Sequence, residues 1–164
     1  MSINRIGIIG AGQMGTGIAH VMALANYDVI LNDVLPEHLI SAKNKIAQNL
    51  DRQIAAKKIS GDEASEALSH VKTSIDLEAV ANTDLIIEAV NEEEELKRKV
   101  FLSIMPYLEE HTVLTSNTSS ISITRLASST DRPEKFLGFH FMNPVPIMQL
   151  VELIPGIATT QDTF

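Results

Sequence analysis

The sequence has no cysteine. That excludes disulfides, thiolate zinc sites and a cysteine nucleophile, and it agrees with a reducing compartment. No apolar run is long enough to span a bilayer. The stretch "INRIGIIGAG" lacks a basic leading segment and its apolar run is short, so it does not read as a secretion signal. The expectation is a cytoplasmic protein. Basic residues are also scarce: 13 Lys and Arg stand against 21 Asp and Glu, a net charge of −8. Such a balance argues against a general binder of nucleic acid or anionic membrane, while leaving a local basic patch open. Repeats and low-complexity tracts are absent as well. What is present is 164 residues of ordinary globular composition, enough for one domain with a proper core.

Short apolar runs alternate with helical patterns, which predicts an α/β sheet protein. Strands are expected at "RIGIIG", "YDVILND", "VKTS", "TDLIIEAV", "TVLTSN", "KFLGFHF" and "IMQLVEL". A helix over 13–26 follows the first strand. After the second comes a helix pair: a long one over 37–58, with Pro36 at its first position, and a short one capped near Ser60. A helical turn lies in "DLEAVAN", a helix over 92–108 opens at Asn91 as N-cap, and a short helix covers 121–129. Thr159 or Thr160 reads as the N-cap of one more helix start, cut off at Phe164. On this reading the chain stops where a second domain would begin.

"GIIGAGQMGTG" carries Gly10, Gly12 and Gly15 as G-x-G-x-x-G, directly after a strand and opening a helix. Asp33 ends the next strand. Together these form the dinucleotide fingerprint, so the fold class expected is α/β, a Rossmann-type, mostly parallel sheet. The inserted helix pair follows strand 2, and an antiparallel strand pair closes the sheet. Gly10, Gly12, Gln13, Met14 and Gly15 make the candidate cofactor turn, with the pyrophosphate at the helix N-terminus. Asp33 accepts ribose hydroxyls and repels a 2′-phosphate, and Val34, Leu35 and Pro36 offer no cation. NAD is therefore favoured over NADP. FAD uses the same fingerprint, and a tight turn without ligand is the bland alternative.

Other candidates each have a structural alternative. Lys43, Lys45, Arg52, Lys57 and Lys58 gather on the long helix as a solvated face or as a patch for a polyanion such as the phosphates of coenzyme A. In "NEEEELKRK" the glutamates complement the helix dipole, and Glu93, Glu94 and Glu95 stand four residues before Lys97, Arg98 and Lys99. Glu92 and Lys97 lie near a strand end where ligands bind. In "SNTSS", Ser119 or Ser120 either caps the next helix or bonds a substrate oxygen. The stretch "GFHFMNPVPIMQLVEL" otherwise reads as core, yet it holds His140 and Glu152. A hairpin centred on Pro146 sets the two opposite each other, with Met148, Leu150 and Ile154 on the face of Glu152. A carboxylate on one ring nitrogen leaves the other free as a base. The alternative is a buried structural pair. The other histidines read as structural or solvated.

"GIIGAGQMGTGIA", "EAVNEEEELK", "SNTSS" and "GFHFMNPVPIMQLVEL", in this order, resemble the 3-hydroxyacyl-CoA dehydrogenase family, especially its bacterial 3-hydroxybutyryl-CoA members. The resemblance implies NAD-dependent oxidation of a 3-hydroxyacyl-CoA. It makes His140 the general base, Glu152 its orienting partner and Ser119 a donor to the reacting oxygen. It gives Asn143 a place between substrate and nicotinamide, sets Glu92 and Lys97 at the nicotinamide end, and suggests Lys57 for coenzyme A. It further implies that residues 1–164 are the NAD-binding domain, and that a helical domain forming a homodimer is missing. Relatives acting on sugar acids of the gulonate type, and a catalytically silent NAD-binding module, are the competing functions.

Overall fold

In this computed structural model, which describes residues 2–164, seven strands form one sheet. They are β1 (Arg5–Ile9), β2 (Asp28–Asn32), β3 (Val71–Ser74), β4 (Leu85–Glu88), β5 (Val113–Ser116), β6 (Phe136–Phe141) and β7 (Val151–Pro155). Their order is β3-β2-β1-β4-β5-β6-β7; the first six run parallel and β7 pairs antiparallel with β6. The expected Rossmann-type sheet and its antiparallel close are thus present. The central strands are apolar on both faces because both are covered: Ile6, Ile8, Ile86, Ile87 and Leu114 are buried. One face packs against α1 (Gln13–Leu24), α2 (Pro36–Ala55) and α3 (Gly61–His70), the inserted pair being α2 and α3. The other packs against α4 (Glu94–Ile104) and α5 (Ile123–Ala127). The chain leaves β1 towards β2 on one side and returns to β4 on the other, opening a crevice beyond the C-terminal strand ends.

Element ends differ from expectation for local reasons. Helix α2 stops at Ala55, not at 58. Lys57 takes φ 57°, donates its N–H to Ile54 O, and Lys58 N–H reaches Gln53 O. A left-handed residue followed by these two bonds closes a helix. Asn26, at φ 64°, ends α1 in the same way. Helix α4 begins at Glu94, and Asn91 does not cap it: Glu93 N–H turns back to Asn91 O, while Glu92 reaches across to the 118–120 segment. Helix α5 is capped by Ser122, which accepts from Arg125 N–H, so neither Ser119 nor Ser120 is the cap. The ladder of pairs four apart along α4 is also replaced: Glu94 bonds Arg125 at 2.5 Å, and Glu95 faces Arg98 at 3.8 Å.

The last strand needs the largest correction. Residues 147–150 are not strand, because Ile147 and Met148 N–H both fold back to Pro144 O. Met148 and Leu150 therefore leave the face of Glu152, and Ile154 stays on it. Nor is this stretch core: β7 is exposed along its whole length, since it ends the sheet and its outer edge has no strand beside it. No helix follows. Phe164 N–H closes a single turn on Thr160 O, and the Thr159 hydroxyl bonds Phe136 O.

Candidate functional site

The glycine turn joins β1 to α1 with φ 105° at Gly10, where a side chain would strike the backbone of Ala89. At Gly15 a Cβ would collide with the carbonyl oxygen of Gly10, so only glycine lets α1 approach the turn. Gly12 by contrast faces open space. The first-turn N–H groups of α1 have no intrahelical acceptor and point into that space. Met14 packs partly buried against the core, so what it presents to a ligand is backbone. Asp33 Oδ2 accepts Ala11 N–H at 2.8 Å, and Oδ1 accepts Leu35 N–H at 3.0 Å. The carboxylate thereby braces the turn from the end of β2. An open glycine face, free amides and a carboxylate at the neighbouring strand end fit a dinucleotide.

Sequence reasoning missed His38 here. It lies in the first turn of α2, and its Nδ1 stands 3.2 Å from Asp33 Oδ1. Its spacing of five from Asp33, across the Pro36 helix start, is the signal that was available.

A cavity of about 760 Å³ opens beside the turn. Gly12, Gln13 and Thr16 form one wall, and Lys45, Asn49 and Arg52 of α2, with Lys58 just beyond it, a basic wall. Asn143, Val145 and Ile147 line it from the loop after β6, and Gln13 Nε2 donates to Asn143 Oδ1 at 3.1 Å across it. Lys57 is not on this wall. It holds the left-handed place in the helix cap, and its neighbour Lys58 lines the cavity. His140, Glu152 and Ser119 do not line this cavity either. They stand further along the same C-terminal edge of the sheet.

His140 and Glu152 are directly opposed in the β6–β7 register, as the hairpin arithmetic predicts. His140 Nδ1 lies 2.8 Å from Glu152 Oε2. The imidazole is 18% exposed and the carboxylate 49%, so this is no buried structural pair. With Nδ1–H donated to the carboxylate, Nε2 keeps a lone pair for a proton. Next to it, Phe141 N–H donates to Asn117 Oδ1 at 2.8 Å, tying the end of β5 to the histidine strand. Asn117 was quoted within "SNTSS" but not singled out.

Glu92 and Lys97 do come together, but not as two ligand-facing groups. Lys97 is 1% exposed, and its ammonium lies 2.8 Å from Glu88 Oε1, 3.2 Å from Val90 O and 3.3 Å from Glu92 Oε2. Lys97 is thus turned into the core and held there by Glu88. Glu88, fully buried at the end of β4, also accepts from Val90 N–H and the Ser116 hydroxyl. Burial pushes its carboxyl above the ordinary value, against the opposing pull of Lys97 and these donors. Glu92 shows the reverse balance. Partial burial raises it, yet bonds from Thr118, Ser119 and Ser120 and the charge of Lys97 bring it down to about 2. Among the described residues no group of three His, Asp or Glu is placed to hold a metal ion.

Residues 5–164 match the family described as 3-hydroxyacyl-CoA dehydrogenase, NAD binding domain. A 3-hydroxybutyryl-CoA dehydrogenase of Bradyrhizobium diazoefficiens is 52% identical over 162 residues, covering 99% of this chain and 55% of that protein. The human mitochondrial hydroxyacyl-coenzyme A dehydrogenase is 41% identical over 169 residues, covering 99% of this chain and 54% of its own length. The crystal structure of the (S)-3-hydroxybutyryl-CoA dehydrogenase from Ralstonia eutropha superposes with a TM-score of 0.96 at 41% identity, over 99% of this chain and 57% of that one. The chain spans about half the length of the curated relatives it matches.

Proposed function

The chain belongs to the 3-hydroxyacyl-CoA dehydrogenase family as its NAD binding domain, and we propose that it is the cofactor half of an enzyme oxidising 3-hydroxyacyl-CoA to 3-ketoacyl-CoA. 3-Hydroxybutyryl-CoA is the substrate proposed first, because relatives 52% and 41% identical carry that activity in their names. The observation that carries the reading is the 2.8 Å contact between His140 and Glu152 at the ligand-binding edge of the sheet. Glu152 holds Nδ1–H, which turns the Nε2 lone pair into the acceptor for the substrate's hydroxyl proton. Ser119 donates to the same oxygen, and Asn143 sets the spacing between substrate and nicotinamide. Bound NAD⁺ supplies the hydride acceptor. In the reverse direction the imidazolium returns its proton to the developing alkoxide.

The basic wall of Lys45, Arg52 and Lys58 suits the phosphates of coenzyme A. We further propose that residues 1–164 work with a helical domain that closes over the substrate and forms a homodimer, as a cytoplasmic enzyme. Among the described residues no helix is long and apolar enough to cross a membrane.

Calorimetry on the 164-residue chain tests the cofactor reading: NAD binds more tightly than NADP, and the opposite order removes the role given to Asp33. Acetoacetyl-CoA-dependent oxidation of NADH is weak in this chain and strong in the longer protein. There, His140→Ala abolishes turnover and leaves NAD affinity unchanged. Loss of both together would assign His140 to binding rather than proton transfer.

A further inference from the structure

We infer that Lys97, neutralised in the core by Glu88, is a positioning residue: it acts through Glu92 to fix the Thr118–Ser120 turn at the strand edge where the dinucleotide is proposed to bind. This rests on the dinucleotide reading above and deepens it. The geometry is a relay of three charges. The Lys97 ammonium donates to Glu88 Oε1 and Val90 O, and it forms an ion pair with Glu92 Oε2 at 3.3 Å. The group is buried, 1% exposed.

Glu92 is the crossbar. Its Oε2 faces Lys97 at 3.3 Å. Its Oε1 accepts the Thr118 hydroxyl at 2.5 Å, Ser119 N–H at 2.9 Å, Ser120 N–H at 3.2 Å and the Ser120 hydroxyl at 3.1 Å. A carboxylate with one oxygen on a buried cation cannot rotate freely, so the direction of the other oxygen is set. That oxygen then dictates the path of residues 118–120, and with it the place of the Ser119 hydroxyl. Glu88 holds the anchor. Its Oε1 is shared between Lys97 and Val90 N–H, its Oε2 takes the Ser116 hydroxyl, and its backbone carbonyl accepts Asn117 N–H. The buried ion pair thereby reaches Ser119 through Glu92, while Asn117, whose side chain holds Phe141 N–H next to His140, is tied to Glu88 by the backbone.

Two other roles for Lys97 compete with this one. A ligand contact through the remaining N–H would weaken cofactor binding without moving residues 118–120. A purely structural pair would leave residues 118–120 in place when both members are neutralised together.

The double variant Glu88→Gln/Lys97→Met removes both buried charges at similar volume, so it escapes the misfolding expected of Lys97→Met alone. In the ligand-free 164-residue chain it keeps its unfolding midpoint and the amide exchange of Ile86 and Leu114. The Ser119 and Ser120 amides exchange roughly tenfold faster than in the parent, and their proton resonances shift. NADH affinity, read by fluorescence, falls about tenfold, the equivalent of one charge-assisted hydrogen bond. Weakened NADH binding with unchanged Ser119 and Ser120 exchange would make Lys97 a ligand contact and overturn the inference. Unchanged exchange and unchanged affinity would make the pair structural and overturn it too, as would faster exchange with full affinity. Exchange is measured without cofactor. A parent chain that fails to bind NADH at all therefore rejects the dinucleotide reading separately.

Discussion

Glu92 shows how much one carboxylate can collect. Its ordinary value of 4.5 falls to about 2, although partial burial alone would raise it, because Thr118, Ser119, Lys97 and Ser120 all favour the ionised form. A depressed folded value contributes stability that is complete above the unfolded value and lost as pH falls towards the folded one. The parent chain is therefore expected to lose stability between pH 4.5 and 2 faster than Glu92→Gln, which starts lower at neutral pH and stays flatter across that window. Urea midpoints taken at half-unit pH steps check this, and parallel curves would show that the bonds to residues 118–120 add nothing. The residues differ in how far the sequence reveals them. His140 and Glu152 could be paired in advance because an antiparallel hairpin makes register a matter of counting around Pro146. Lys97 sits among three consecutive cations, and its neighbours Arg98 and Lys99 are not buried. Only its spacing from Phe101 and Ile104, four and seven residues along the same helix face, betrays that it points inward. Glu88 gives no such sign, since an acid ending an apolar strand reads equally well as a solvated edge.

Elements were legible in kind and order because apolar periodicity survives any tertiary context, whereas their ends depend on bonds between distant segments. Asn91 is a good capping residue by type, but the pull of Glu92 towards Thr118 moves the helix start to Glu94. Strand β7 slid to 151–155 because Pro144 O captures two amides that the pattern assigned to a ladder. The end of α2 is the most instructive. Lys57 occupies the left-handed position that glycine usually fills, and a side chain there is costly. Lys57→Gly is expected to raise stability by about 1 kcal/mol, visible as a higher urea midpoint with unchanged slope. NAD affinity and the basic wall formed by Lys45, Arg52 and Lys58 should be untouched, because Lys57 is not part of that wall. A midpoint that falls instead would mean that the Lys57 side chain has a contact worth more than the backbone strain.

At the scale of the whole molecule, the sheet is finished on one side and open on the other. Its far edge, β7, carries Val151, Leu153 and Ile154 in exposed positions, with Leu150 and Ile157 exposed beside it. Below it runs an apolar groove of about 390 Å³, lined by Ile3, Tyr27, Leu137, Phe139, Leu153 and Phe164. An unpaired strand edge next to apolar surface is a template for a second chain. The sequence alone made this stretch core, since a hydrophobic pattern records which residues seek cover and not whether this length of chain supplies it. The 164-residue chain is therefore expected to self-associate as its concentration rises, with sedimentation velocity showing a mass above that of one chain. Leu153 is 45% exposed, so Leu153→Lys should cost little stability while placing a cation in the groove, and it should return the chain to a monomer. NAD binding should survive the substitution, because the glycine turn and Asp33 belong to β1 and β2 at the other side of the sheet. A parent chain that remains monomeric at high concentration would mean that the turn ending at Phe164 already shields the edge. In that case Leu153→Lys would change neither mass nor binding.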